Sequence, residues 1–150
     1  MFTLRIVTTI ASPAQKCFDL ARSVDAHIQS AAGTGEKAVA GRTSGLLELG
    51  EEVTWEARHL GVTQRLTSRI TAFQPPRHFQ DRMIRGAFKS LVHDHYFEPA
   101  EDGATLMVDV LRFQAPFGPL GWLAERLVLV ECFKLMHSYS RPRAPGGLFR

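Results

Sequence analysis

Residues 120–140 read LGWLAERLVLVECFKLMHSYS, and this stretch decides the fold. Its apolar side chains recur at helical spacing and cover much of the circumference of a helix. Its charged side chains are few: Glu125, Arg126, Glu131 and Lys134. A helix that is apolar over so wide an arc must be buried on more than one side. We therefore predict a long C-terminal helix, over about Leu120–Ser140, with a sheet wrapped around it.

The segment before this helix supplies that sheet, because its apolar and polar residues alternate with a period of two. Val53, Trp55 and Ala57 share one face of a strand, for example, and polar residues occupy the other. Such alternation is typical of half-buried strands. Six strands are predicted between residues 36 and 113, and an earlier one covers residues 2–10. Short turns that contain Gly favour antiparallel hairpins, so we expect a curved, seven-stranded antiparallel sheet.

Two short helices are predicted between the first strand and the second. Ser12 precedes Pro13, which suits a first helical turn, and Gln15 completes a capping box with Ser12. Asp25 is expected to cap the second helix. The whole is one α+β domain over residues 1–141, followed by a flexible basic tail at 142–150 that is rich in Pro and Gly.

Composition narrows the classes of partner and compartment. The 150 residues carry a net charge of +3, and the basic side chains are scattered, unlike the one-sided patch of a nucleic-acid binder. No apolar run is long enough for a membrane span, and the N-terminus lacks the layout of a signal peptide. We expect a cytoplasmic protein without a nucleic-acid partner. Cys17 and Cys132 are interpreted as buried small hydrophobic residues. The oligomeric state stays open.

Four segments carry a resemblance to a known superfamily. They are GEEVTWEARH at 50–59, FQDRM at 79–83 with GAF at 86–88, HDHYF at 93–97, and Asp109 followed by PFGPLG at 116–121. With the order strand, two helices, six strands and long helix, they resemble the START-like or SRPBCC superfamily, also called the helix-grip or Bet v 1-like fold. Within it, the chain is similar to small bacterial cyclase/dehydrase-like (YndB-like) proteins. The resemblance covers nearly the whole chain.

The resemblance implies a cavity for a hydrophobic ligand between the sheet and the terminal helix. It does not decide whether the chain is an enzyme, because the superfamily contains carriers as well as cyclases and fold alone says little about chemistry. We expect binding of a lipid-, aromatic- or polyketide-like molecule. The alternative is a polyketide cyclase or dehydrase that uses acid–base groups in the cavity. A protein-interaction module has the least support, since no exposed apolar stripe is evident.

Strand parity predicts a polar cluster on the inner face of the sheet. Residues two positions apart on a strand point to the same side. If the apolar residues of each strand face the helix, the same face carries His59, Asp81, His93, His95 and Asp109. Buried carboxylates need partners, and pairing with imidazoles raises the pKa of the His and lowers that of the Asp.

Four interpretations of this cluster stay open. It is a structural hydrogen-bond network, an anchor for the polar end of a ligand, or an acid–base site in which Asp81 or Asp109 steers His93 or His95. A metal site would need a third ligand from a neighbouring strand to converge on these two histidines, so we predict no metal and no cofactor. The predicted ligand-binding set is Trp55, His59, Phe79, Asp81, Met83, His93, His95, Phe97, Asp109 and Trp122. His27 and Glu36 are expected at the surface.

Overall fold

The computed structural model describes residues 1–59, 61–116 and 121. The elements, in chain order, are β1 (Phe2–Ile10), α1 (Ala14–Ala21), α2 (Val24–Ser30), β2 (Lys37–Gly41), β3 (Glu52–His59), β4 (Val62–Gln74), β5 (His78–Arg85), β6 (Ser90–Pro99) and β7 (Thr105–Gln114). The predicted C-terminal helix, with Trp122 and Cys132, and the predicted tail lie outside the described residues. No helix in the described part of the chain is long and apolar enough to cross a membrane.

The seven strands form one curved antiparallel sheet, as the sequence predicts. Their order across the sheet is β1-β7-β6-β5-β4-β3-β2. From β2 to β7 each strand pairs with the next along the chain, because the connections are short turns. The exception is β1, which pairs with β7 from Phe2 opposite Phe113 to Ile10 opposite Thr105. Strands β5, β6 and β7 are therefore interior strands, with β1 beside β7 and β4 beside β5.

Both helix starts differ from the sequence prediction. The N-cap of α1 is Pro13, without a side-chain cap, because the helix begins one residue later than a capping box at Ser12 requires. The Ser12 carbonyl instead accepts a hydrogen bond from Thr105 Oγ1 at 2.7 Å. Ser23, not Asp25, caps α2, since its hydroxyl accepts from the Ala26 N–H. Asp25 accepts from the Gly45 N–H instead, which ties α2 to a loop.

The core forms where α1 packs on the inner face of the sheet. Phe18 of α1 is fully buried. Its ring lies 5.4, 5.4 and 5.6 Å from the rings of Phe73, Phe79 and Phe97, at tilted or edge-on angles, which are favourable aromatic geometries. Cys17, beside it, is buried too, as predicted. Among the described elements, α1 contacts β6 and β7, and a cavity lies against the inner face of the same sheet.

The outer face of the sheet carries a buried polar network centred on Asp94. Asp94 is 2% exposed. Its carboxylate pairs with Arg112 and with His78 Nε2 at 2.8 Å, and it accepts from the Gln80 amide at 2.9 Å. Burial would raise the pKa of Asp94, but these donors outweigh it and lower the pKa. This network holds β5, β6 and β7 together from the side opposite the cavity.

Candidate functional site

A cavity of about 290 Å³ lies against the inner face of the sheet. Most of the described residues that line it are apolar, and they come from several strands of the sheet and from α2. Its apolar lining includes Val53, Trp55, Leu66, Ile70, Phe79 and Leu111. A mostly apolar cavity with a few convergent polar groups is the usual form of a small-molecule site, and this one has such a group at one wall.

That group is the polar cluster of Asp81, His93, His95 and Asp109, which lines the cavity as strand parity predicts. Asp81 of β5 lies opposite His93 of β6 in the strand register, and His95 of β6 lies opposite Asp109 of β7. Side chains at opposite and diagonal positions of an antiparallel pair are close enough to interact. Three neighbouring strands thus bring two imidazoles between two carboxylates.

Each imidazole contacts both carboxylates. His95 Nε2 lies 3.1 Å from Asp81 Oδ2, and His93 Nε2 lies 3.1 Å from Asp109 Oδ1. These hydrogen bonds run diagonally across the strand register. His95 Nδ1 also lies 2.8 Å from Asp109 Oδ1. That contact is a close charge pair without hydrogen-bond alignment, so His95 Nδ1 has no aligned partner among the described residues. His93 Nδ1, at 4.0 Å from Asp81 Oδ2, is beyond hydrogen-bond distance.

The cluster is shielded from water and stacked on aromatic surface. The side chains of His95 and Asp109 are 11% and 14% exposed. The His95 ring lies 4.3 Å from the Phe79 ring at an angle of 20°, and 3.8 Å from the His93 ring. A cationic imidazole over an aromatic face is stabilised by the negative face of the ring. The two histidines are therefore in ring contact at a tilt of 38°, and their ring nitrogens lie close to the carboxylates.

Charge pairing dominates the protonation of this cluster. Burial alone would lower the pKa of His95, but the close charge contact with Asp109 and the hydrogen bond and charge from Asp81 outweigh burial and raise that pKa to about 9. Burial would raise the pKa of both carboxyls, yet the imidazoles lower it in Asp81 and in Asp109. At neutral pH, both carboxylates are ionised and His95 carries a proton.

The comparisons place this architecture among known structures. No family model matches the chain, and no curated protein matches it in sequence. Among solved structures, the Zhui aromatase/cyclase from Streptomyces sp. R1128 is 15% identical with a TM-score of 0.74, over 98% of this chain and 99% of that one. A START superfamily protein from Mycobacterium smegmatis is 12% identical with a TM-score of 0.66, over 91% and 96%. The chain has the START-like fold.

A third structural neighbour agrees with this assignment. TTHA0849 from Thermus thermophilus is 18% identical with a TM-score of 0.64, and the likeness covers 87% of this chain and 86% of that chain. At such identities, shared structure establishes the START-like fold alone and not the chemistry of the cavity. The function must therefore be argued from the residues of this chain.

A second polar pair lines the START-like cavity, and the sequence analysis missed it. His27 of α2 stacks on Trp55 with ring centroids 4.1 Å apart, and its Nε2 lies 3.1 Å from Glu36 Oε2. The Glu36 side chain is only 16% exposed, so the prediction that Glu36 lies at the surface is wrong. The His27 side chain is 27% exposed and also lines the cavity, so it is half-buried rather than fully at the surface. Helical spacing carried a signal, because His27 lies three positions after the fully buried Val24.

The remaining predicted site residues fall into three groups. The cavity lining includes Trp55, Phe79, Asp81, His93, His95 and Asp109. Phe97 packs in the core against Phe18, and Met83 packs beside a separate cluster of Leu91, Leu111 and Phe113. Neither Phe97 nor Met83 is among the described lining residues. The side chain of His59, and Trp122 as a whole, lie outside what the structure describes.

Proposed function

We propose that this protein binds a small hydrophobic molecule in the START-like cavity and orients its polar end at the polar cluster. The observation that carries the proposal is the combination of an apolar cavity of about 290 Å³ with one wall of ionised groups. Binding pockets for small molecules typically start at about 300 Å³, so the cavity suits a compact ligand such as a fused aromatic ring or a short acyl chain.

The cluster offers the ligand a specific place for one polar atom. His93 Nδ1 and Asp81 Oδ2 are 4.0 Å apart and do not hydrogen-bond to each other. A ligand hydroxyl between them can donate to the carboxylate and contact the imidazole nitrogen. Leaving buried polar groups unpaired costs free energy, so a ligand with such a hydroxyl is favoured over its deoxygenated analogue. The apolar lining contributes most of the affinity for the ligand, and the gap between His93 Nδ1 and Asp81 Oδ2 fixes the orientation of its polar end.

A cavity-filling variant tests the proposal. Ala57 of β3 lines the cavity, and Ala57→Phe places a benzyl group inside it. Ala40 of β2 is exposed, so Ala40→Phe adds the same bulk outside and serves as the matched control. Binding of a fluorescent naphthyl probe is measured by titration, and mass spectrometry after denaturing extraction identifies molecules that co-purify with each protein.

We expect the wild type and Ala40→Phe to bind one equivalent of probe, and Ala57→Phe to lose most of that affinity with its circular dichroism spectrum unchanged. Equal probe binding by Ala57→Phe would place the probe outside the cavity and contradict the proposal. A wild type that neither co-purifies with an apolar molecule nor binds the probe would contradict it as well.

A second candidate is acid–base catalysis of the cyclase or dehydrase kind. The observation in its favour is that His93 presents an unbonded ring nitrogen to the cavity while Asp109 fixes its other nitrogen at 3.1 Å. An imidazole oriented in this way can act as the general base that removes a proton from a carbon next to a carbonyl group. Incubation with poly-β-ketone substrates, followed by mass spectrometry, tests this. Turnover that survives in His93→Gln, or is absent from the wild type, rules it out.

A further inference from the structure

The polar cluster contains a set of donor atoms that converge on one point. Asp109 lies against one nitrogen of each imidazole, at 3.1 Å from His93 Nε2 and 2.8 Å from His95 Nδ1. The opposite nitrogens therefore turn toward Asp81. His95 Nε2 lies 3.1 Å and His93 Nδ1 lies 4.0 Å from the same oxygen, Asp81 Oδ2. Two imidazole nitrogens and one carboxylate oxygen thus face a common space at the cavity wall.

We propose that His93, His95 and Asp81 bind a divalent transition-metal ion, with Asp109 as the positioning residue. One donor atom from each of the three lies within 4.8 Å of the other two. A metal at about 2.0–2.2 Å from nitrogen and oxygen ligands holds them roughly 3–3.5 Å apart. The donors must close in by about an ångström, which small rotations of these side chains provide.

The positioning role of Asp109 follows a general feature of metal sites. A histidine ligand usually presents its other ring nitrogen to a carboxylate, which fixes the orientation of the ring. Here one carboxylate serves both rings, and His93 and His95 sit two positions apart on β6 so that both rings point to the cavity. The third ligand comes from the adjacent strand β5, which is the condition that the sequence analysis set for a metal site.

The donor chemistry selects the class of ion. Imidazole nitrogens suit Zn²⁺, Fe²⁺, Co²⁺ and Cu²⁺, whereas Mg²⁺ and Ca²⁺ prefer sets made of oxygen ligands alone. On binding, the ion displaces the proton that His95 carries at neutral pH, and its two positive charges then balance the charges of Asp81 and Asp109. Two histidines and one carboxylate leave coordination positions open. All three ligands line the cavity, so the open positions face it. With the ion bound, the polar atom of a ligand would meet the ion instead of entering the gap between His93 Nδ1 and Asp81 Oδ2.

Metal titration of untagged protein tests the site. The protein is stripped with EDTA, desalted, and titrated with Zn²⁺ by calorimetry and with Co²⁺ by visible absorbance, which reports imidazole coordination. We expect one equivalent of each ion at micromolar or tighter affinity, and no competition from excess Mg²⁺ or Ca²⁺. Binding should be lost in His93→Gln and Asp81→Asn and weakened about 10–100-fold in Asp109→Asn.

The matched control is His78→Gln, which removes an imidazole from the His–carboxylate pair on the outer face of the sheet and should leave metal affinity unchanged. The site is refuted if the wild type binds less than one equivalent, if Mg²⁺ competes equally, or if folded His93→Gln and Asp81→Asn retain the Co²⁺ spectrum. Naphthyl-probe binding in EDTA is measured in parallel, so that failure of the metal site is distinguishable from failure of the cavity to bind a ligand.

Discussion

Replacing His95 by Gln should remove a stabilisation of the folded state that depends on pH. The pKa of His95 rises from 6.5 to about 9 in the folded protein. A pKa difference of one between the folded and unfolded states corresponds to about 1.4 kcal/mol, so protonated His95 contributes about 3 kcal/mol to the free energy of unfolding. The side chain is only 11% exposed, so solvent screens little of this. The lowered pKa values of Asp81 and Asp109 arise from the same contacts and are not added to it.

The sign of the effect follows from the direction in which the pKa of His95 moves. Because the folded-state pKa lies above the unfolded value, the stabilisation is complete below about pH 6 and is lost as the pH rises through about 9. Both carboxylates stay ionised in this window, since their pKa values are lowered. The difference in unfolding free energy between wild type and His95→Gln should therefore shrink steadily from about pH 6 to about pH 9.5.

Urea unfolding with EDTA and a thiol reductant present, followed by circular dichroism at several pH values, measures this difference. EDTA keeps the polar cluster free of metal, and the reductant protects the cysteines at high pH. A difference that is independent of pH, or that grows as the pH rises, would refute the assignment of a proton to His95. That result would also remove the physical basis for treating this cluster as a network of charged groups.

Urea unfolding of three further variants, two of them with a matched control substitution, tests the contacts that stabilise the fold around the site. Asp94→Asn should cost about 2 kcal/mol because three donors lose a buried, ionised acceptor, whereas Glu52→Gln, in an exposed pair with Arg69, should cost less than about 1 kcal/mol; equal costs would contradict this. Phe18→Ala should cost about 3–5 kcal/mol, and a loss below about 1 kcal/mol would show that its aromatic cluster repacks. Gly41→Ala should cost about 2 kcal/mol or more, since its Cβ would lie 2.2 Å from the Glu52 carbonyl oxygen. Gly61→Ala, where φ is +81 but the added Cβ meets open space, should cost less. A larger cost for Gly61→Ala than for Gly41→Ala would refute this.

The inner-face cluster could be placed from sequence because strand alternation is a strict geometric rule. Once Phe79 is assigned to the core, Asp81 must follow on the same face of β5, and the same reasoning applies to His93 and Asp109. Antiparallel hairpins between successive strands could be predicted for a similar reason, since short turns that contain Gly favour them. Local chemistry and chain connectivity were sufficient for both. The pairing of β1 with β7 has no such turn and was not predicted.

Contacts that depend on the packing of one element against another could not be predicted. The ring contact of His27 with Trp55 depends on where α2 lies over the sheet, and hydrogen bonds of Val24 and Asp25 with Gly45 help to fix that position. Diagonal pairing of His95 with Asp81 likewise depends on rotamers rather than on register. The predicted helix cap at Ser12 does not form. Thr105 Oγ1 instead donates a hydrogen bond to the Ser12 carbonyl, and such side-chain bonds to the backbone compete with capping.

The four members of the polar cluster all belong to residues 78–114, a stretch of three successive strands joined by two short connections. The opposite walls of the cavity come from separate segments, including α2 and β3. Substitutions in those walls can change which shapes are admitted without moving the imidazoles or carboxylates. Changes in the shape of the cavity and changes in the polar cluster therefore arise in different parts of the gene, so one can vary while the other persists.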